Sequence, residues 1–133
     1  MLIGDKVPLI SKEASLGQAV TELNRKNIGA VLVLEPSGNK LCGIITDGDL
    51  RRCLLEEKWL EGKAAAGKGE KKITEVMTRQ PVTISGDVMA ADALSLMQSK
   101  DITVLAVTDE KNQVKGILHL HDLLGKGEFR FLI

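Results

Sequence analysis

The chain has 133 residues, of which 44% are hydrophobic and 27% charged, and its 18 basic side chains balance 18 acidic ones. A chain of that size holds one compact domain, or two small units sharing a core. Even charge argues against a general nucleic-acid or membrane-surface binder, and the only aromatics, Trp59, Phe129 and Phe131, leave little for base stacking.

The opening Met1–Lys6 lacks signal-peptide anatomy. The longest apolar stretch, Ile28 to Leu34, is far shorter than the roughly 20 residues that span a bilayer, so the expected compartment is the cytoplasm. Leu16, Ala19, Val20 and Leu23 recur at helical spacing, and Ser15 with Gln18 forms a capping box at that helix start. Asn27 and Gly29 interrupt the helix. Ala30 to Leu34 is a continuous apolar run, the pattern of a strand buried on both faces. After the turn Pro36-Ser37-Gly38-Asn39, Leu41 to Ile45 reads as a second strand, antiparallel to the first. Cys42 lies in it and Cys53 follows in the next helix; two unpatterned cysteines read as reduced, buried thiols, with a disulfide or metal pair as the alternative. Thr46-Asp47-Gly48-Asp49-Leu50-Arg51-Arg52 is a strand-to-helix junction.

Glu56 to Lys72 is rich in Lys, Glu, Ala and Gly. Trp59 and Leu60 are expected to pack, whereas Ala64 to Gly69 reads as an exposed linker. The same order of parts then returns. Val82-Thr83-Ile84 is an extended lead-in, and Ala90, Ala93, Leu94 and Met97 mark a helix. Strands are expected at Thr103 to Thr108 and Val114 to Leu118, followed by the junction His119-Leu120-His121-Asp122-Leu123. The register between the halves slips by one residue, and the slip falls in the polar turn. Met89 stands where Ser15 caps the first helix, so the second helix start is left to Asp87, or to Asp92 acting on the helix dipole. The end, residues 126–133, reads as a tail that frays, or as a small apolar contact with another subunit.

A duplicated unit that cannot close its own core predicts two halves packed on each other with a cleft between them. A strand end running into a helix start presents backbone N–H groups to an anion. Thr46 adds a hydroxyl, Arg51 and Arg52 add cations, and Asp49 can accept hydrogen bonds from a cis-diol. The same aspartates also serve as helix caps, and Asp47 repels a phosphate. In the second half Asp122 matches Asp49, and His119 takes the place of Thr46, with His121 beside it. Asp49 and Asp122 are expected to border one shared pocket. No nucleophile elbow, phosphate loop or metalloprotease helix appears, and Asp47-x-Asp49 is too short for a calcium loop, so neither catalysis, a metal nor a required cofactor is expected.

Two helix-strand-strand-helix units, each closing with Gly-apolar-apolar-x-x-x-Asp-Leu, resemble a pair of CBS domains, the assembly called a Bateman module. The resemblance implies a mixed α/β (α+β) fold of two pseudo-symmetric repeats packed through their sheets. Its divisions are repeat 1 at residues 5–56, a linker at 57–72, repeat 2 at 73–125 and the tail. The stretches Gly43 to Arg52, Val76 to Pro81 and Leu118 to Leu124 further resemble the C-terminal half of bacterial arabinose-5-phosphate isomerases, in which a sugar-isomerase (SIS) domain precedes the CBS pair. That resemblance implies a non-catalytic regulatory piece, attached to an SIS isomerase domain and forming a homodimer, or alternatively a ligand-free scaffold that holds isomerase subunits together. By the family pattern Thr46 and Asp49 line one ligand site, and His119 and Asp122 the other. The segments Leu9-Ile10 and Thr83-Ile84 give backbone contacts to base or sugar. His119 replaces the hydroxyl usual in nucleotide-binding repeats, and the family's pathway points to CMP-Kdo, a nucleotide-activated sugar, as the regulatory ligand.

Overall fold

The computed structural model describes residues 2–26, 28–56 and 72–124. The linker and tail expectations, with Trp59, Leu60 and Asn27, therefore lie outside the described residues. Two four-stranded sheets form the centre. The first contains β2 (Leu9–Ser11), β3 (Ala30–Leu34), β4 (Leu41–Thr46) and β5 (Thr78–Arg79) in that order. The second, in the order β1-β8-β7-β6, contains β1 (Leu2–Ile3), β6 (Thr83–Ile84), β7 (Val104–Thr108) and β8 (Val114–His119). The helices are α1 (Leu16–Lys26), α2 (Asp47–Glu56), α3 (Ile73–Val76), α4 (Ala90–Lys100) and α5 (Leu120–Leu124).

Each half has the same pairing scheme. A lead-in strand runs parallel to the first strand of a hairpin, Leu9 beside Leu32 and Thr83 beside Ala106, and the hairpin itself is antiparallel. Val33 faces Gly43, whereas Val107 faces Gly116, so the second turn is one residue shorter. A register shift sits at the same place in both hairpins, after Val33 and after Val107, where the loop absorbs the difference.

The edge strands are exchanged. β1 opens the first half but pairs with β8 of the second, Leu2 opposite Ile117. β5 leads into the second half but pairs with β4 of the first, Ile44 opposite Thr78. The two hairpin turns also meet: Lys40 bridges Gln113, Leu41 N donates to Asn112 O at 3.1 Å and Val114 N to Asn39 O at 2.9 Å.

Period-two alternation decides which face of each strand meets which layer. Val31, Val33 and Ile45 turn outward onto Leu16, Ala19 and Leu23 of α1, with Cys53, Ile73, Val76 and Met77. Ala30, Leu32, Leu34, Leu41 and Ile44 turn inward and meet Val104, Ala106 and Ile117 of the other sheet. Leu105 packs with Ala90, Ala93, Met97 and Leu123 on the far side. The layers are therefore helix, sheet, sheet, helix, and β3 is buried on both faces as its continuous apolar run predicts. Removing a side chain such as Leu32 from water contributes about 1.5–3 kcal/mol, and the small Ala30 and Ala106 let the two sheets approach.

The capping box of α1 is present: Ser15 N donates to Gln18 Oε1 at 2.9 Å, and Gln18 N to Ser15 Oγ at 3.1 Å. At α4, Met89 is the cap residue without a side-chain bond, Asp87 takes the Ser85 hydroxyl, and Asp92 sits in the first turn. Both cysteines are thiols; Cys53 is buried, and Cys42 is only half-buried. No helix among the described residues is long and apolar enough to cross a membrane.

Candidate functional site

The Thr46-Asp47-Gly48-Asp49 junction is built by β4 handing directly to α2. Asp49 is 5% exposed, and both of its carboxylate oxygens are engaged. Thr46 N donates to Oδ2 at 2.9 Å and the Thr46 hydroxyl to the same oxygen at 3.1 Å. The Arg52 guanidinium reaches Oδ1 at 2.5 Å, and the Thr78 hydroxyl donates to it at 3.2 Å. In return Asp49 N donates to Thr46 Oγ1 at 3.2 Å, which completes a reciprocal cap. Asp47 N donates to Gly29 O at 3.1 Å. A Cβ on Gly29 (φ +81°) would stand 3.1 Å from Asp47 Oδ2, so that carboxylate lies close over a bare backbone.

The second junction repeats the backbone geometry with different chemistry. His119 N donates to Asp122 Oδ2 at 2.8 Å, as Thr46 N does to Asp49. His121 N donates to His119 Nδ1 at 3.0 Å, so the ring nitrogen replaces the hydroxyl as cap acceptor. The two imidazoles lie with centroids 4.4 Å apart. Burial holds the His119 pKa below its ordinary 6.5, the neighbouring His121 lowers it further, and Asp122 opposes both.

A cavity of about 490 Å³ lies between the two halves. Its walls come from Thr46, Asp47, Gly48 and Asp49 of the first junction, Ile28 and Gly29 before β3, and Thr78 of the exchanged strand. The second half closes it with Gln80-Pro81-Val82, with Asp101-Ile102-Thr103-Val104 and with His119. Such a volume suits a nucleoside-sized molecule, with apolar walls for a ring and few polar groups to orient it. A smaller cavity of about 220 Å³ lies within the second half, lined by Ile84, Ser85, Gly86, Val88, Ala90, Ala93, Val107, Leu118, Asp122 and Leu123. Leu16, buried in the first core, occupies the position of Ala90.

Of the residues singled out from sequence, Thr46, Asp49 and His119 meet at the larger cavity. Asp122 and Ile84 line the smaller one. The two aspartates thus do not share a pocket: the second junction offers an imidazole to the larger cavity where the first offers a carboxylate. Leu9, Ile10, Thr83, Arg51, Arg52 and His121 line neither. Leu9 packs against the inter-sheet cluster and Ile10 against the first helical core. Thr83 is held in the parallel pair with β7. Arg52 acts through Asp49, while Arg51 and His121 are exposed. Gln80 to Val82 and Asp101 to Val104 escape a local reading because they reach the first junction only across the pseudo-symmetric interface. The available signal was positional: Ile28 and Ile102 precede equivalent strands, so a cavity touching one near the axis touches the other.

A family model described as CBS domain matches residues 2–56 and 73–127. The chain is 39% identical over 127 residues to a Salmonella typhi protein named arabinose 5-phosphate isomerase KdsD, which covers 96% of this chain and 36% of that protein. The chain thus spans about a third of the length of the curated relatives it matches. Among solved structures, the CBS domain pair of protein MJ0100, in complex with 5′-methylthioadenosine and S-adenosyl-L-methionine, superposes with a TM-score of 0.73 at 27% identity, covering 90% of each chain. CBSX2 in complex with AMP gives a TM-score of 0.77 at 21% identity, covering 98% of this chain and 93% of that one, a likeness of fold.

Proposed function

This chain belongs to the CBS-domain family and carries two of its repeats in Bateman-module form, and from that premise we propose that it is a ligand-sensing regulatory module whose inter-repeat cavity takes a ribonucleoside-type molecule. The observation that carries the reading is the 490 Å³ cavity itself, to which both repeats contribute and where the Thr46–Asp49 cap faces His119. Apolar Ile28, Ile44, Pro81, Val82 and Ile102 suit a base, while Asp49 and Thr78 are groups that can exchange internal hydrogen bonds for those of a cis-diol. The ligands named for the MJ0100 pair, both adenine ribonucleosides, support that class.

Similarity to the KdsD proteins supports attachment to a cytoplasmic arabinose-5-phosphate isomerase carrying an SIS domain, with the sensor reporting to it. The divisions at 5–56, 57–72 and 73–125 fit that arrangement. CMP-Kdo is the candidate that the resemblance supplies. Asp47 and Asp101 stand against its phosphate and carboxylate, so it enters the test as one arm and not as the favoured ligand. A ligand transmits a signal only if it binds two conformations unequally.

Thermal unfolding against adenosine, 5′-methylthioadenosine, S-adenosylmethionine, AMP, cytidine and CMP-Kdo tests the reading. A ligand at a hundred times its dissociation constant stabilises the fold by about 2.7 kcal/mol. A shift that Asp49→Asn abolishes supports the cavity. No shift with any compound rejects it in favour of a ligand-free scaffold. The specific observation behind that second reading is exposed apolar side chains on each of the two outer helical layers, Leu55 of α2 at 69% exposure and Met89 before α4 at 48%, surfaces that subunit contacts would cover.

A further inference from the structure

The charge of the inter-repeat cavity narrows the ligand class. Its ionisable lining consists of Asp47, Asp49, Asp101 and His119, and no lysine or arginine lines it among the described residues. Asp49 is neutralised by Arg52, whose guanidinium sits on Oδ1. Asp47 and Asp101 have no such partner: among the described residues no cation pairs with either. Asp47 is fixed at the first turn of α2, over Gly29. Asp101 is fixed from the opposite repeat by a left-handed backbone (φ +56°) that ends α4, and its N–H is tied to Gln98 O at 3.3 Å.

Two features that ordinarily welcome a phosphate are already used up. The N-terminus of α2 carries a partial positive charge, but its first turn holds two carboxylates of its own, Asp47 and Asp49. The imidazole of His119 accepts the His121 amide at Nδ1, which places its proton on Nε2 in a neutral ring. His119 therefore meets a ligand as an uncharged donor, with Asp47 and Asp49 across the cavity, Asp101 from its own half, and His121 and Asp122 on the helix that follows it.

Resting on the nucleoside reading above, we infer that Asp47 and Asp101 make the cavity selective for ribonucleosides whose 5′ substituent is neutral or positively charged, and against their 5′-phosphates. A thioether, hydroxyl or sulfonium at that carbon passes, while a phosphate meets two unpaired carboxylates at the cavity mouth, both exposed, so their repulsion is partly screened and falls with added salt.

Calorimetric titration of the intact chain with matched pairs, adenosine against AMP and cytidine against CMP, isolates the phosphate. The nucleoside binds at least about tenfold more tightly than its 5′-phosphate, and Asp47→Asn/Asp101→Asn brings that ratio toward one. If the double variant fails to fold, Asp101→Asn alone lowers the ratio part of the way, and in the unaltered protein raising salt from low to high ionic strength shrinks it. A phosphate bound as tightly as its nucleoside overturns the selectivity while leaving the nucleoside reading intact, as does a ratio unmoved by both the variants and salt. No binding by any of the four compounds overturns the nucleoside reading, and the selectivity falls with it.

Discussion

Asp49 accepts four hydrogen bonds while almost wholly buried, so it is the residue on which the first junction depends. Replacing it with alanine removes the carboxylate half of the reciprocal cap and leaves the half-buried Thr46 amide without its acceptor, while the residue 49 amide still reaches Thr46 Oγ1. The expected loss is about 2 kcal/mol in urea unfolding, because the carboxylate's hydrogen bonds are lost at about 1 kcal/mol each and solvent reaching the half-buried donors recovers part of that. His119 sets a pH dependence. Its folded pKa lies below 6.5, the value it regains on unfolding, so the unfolded chain takes up the proton first as pH falls. The stability carried by the neutral ring is complete above pH 6.5 and declines as pH drops through that value. His119→Asn, whose amide oxygen can still accept the His121 N–H, gives a flatter curve of thermal midpoint against pH between 7.5 and 5.5. At this scale sequence located Thr46, Asp49 and His119 at the strand-to-helix junctions where they lie, since such junctions declare themselves locally. It missed Gln80, Pro81 and Asp101, which gain meaning only when the other half is laid against them.

Within the elements, most of the fold was legible. Continuous apolar runs flanked by turn residues gave β3, β4 and β7, and helical spacing gave α1 and α4. The two-residue strands β1 and β5 were not legible, because neither Leu2-Ile3 nor Thr78-Arg79 carries a pattern of its own. Their assignment comes from pairing with the far repeat, a non-local fact. Removing residues 1–3 uncovers the edge of β8. Hydrogen exchange is expected to quicken at Gly116 and Ile117, the residues opposite Ile3 and Leu2, while Val31 and Ile45 keep their protection. Equal acceleration in both sheets would show that β1 supports the whole molecule and not one edge.

Taken whole, the molecule is two incomplete halves, each lacking an edge strand and a partner for its inward sheet face. Leu32 and Ile44 are buried only because Val104, Ala106 and Ile117 lie opposite. Residues 2–56 expressed alone would expose that apolar face to water and forgo β5, so the expected product lacks a cooperative thermal transition, whereas the intact chain melts in one step. Circular dichroism with calorimetry distinguishes the cases; a sharp transition for the isolated half would show that one helical core suffices. The two-halves architecture was visible in the repeated order of parts, whereas the exchange of edges was not.

The crossed path of β1 fixes a direction of mechanical coupling. A polypeptide fused ahead of residue 2 would be tethered to the distal sheet, and its movements would arrive first at Gly116 and Ile117, in the strand that ends at His119. A tug on that leader would thus be felt on the imidazole wall of the cavity before it reached the Thr46–Asp49 wall, although the latter belongs to the half that begins nearer the leader.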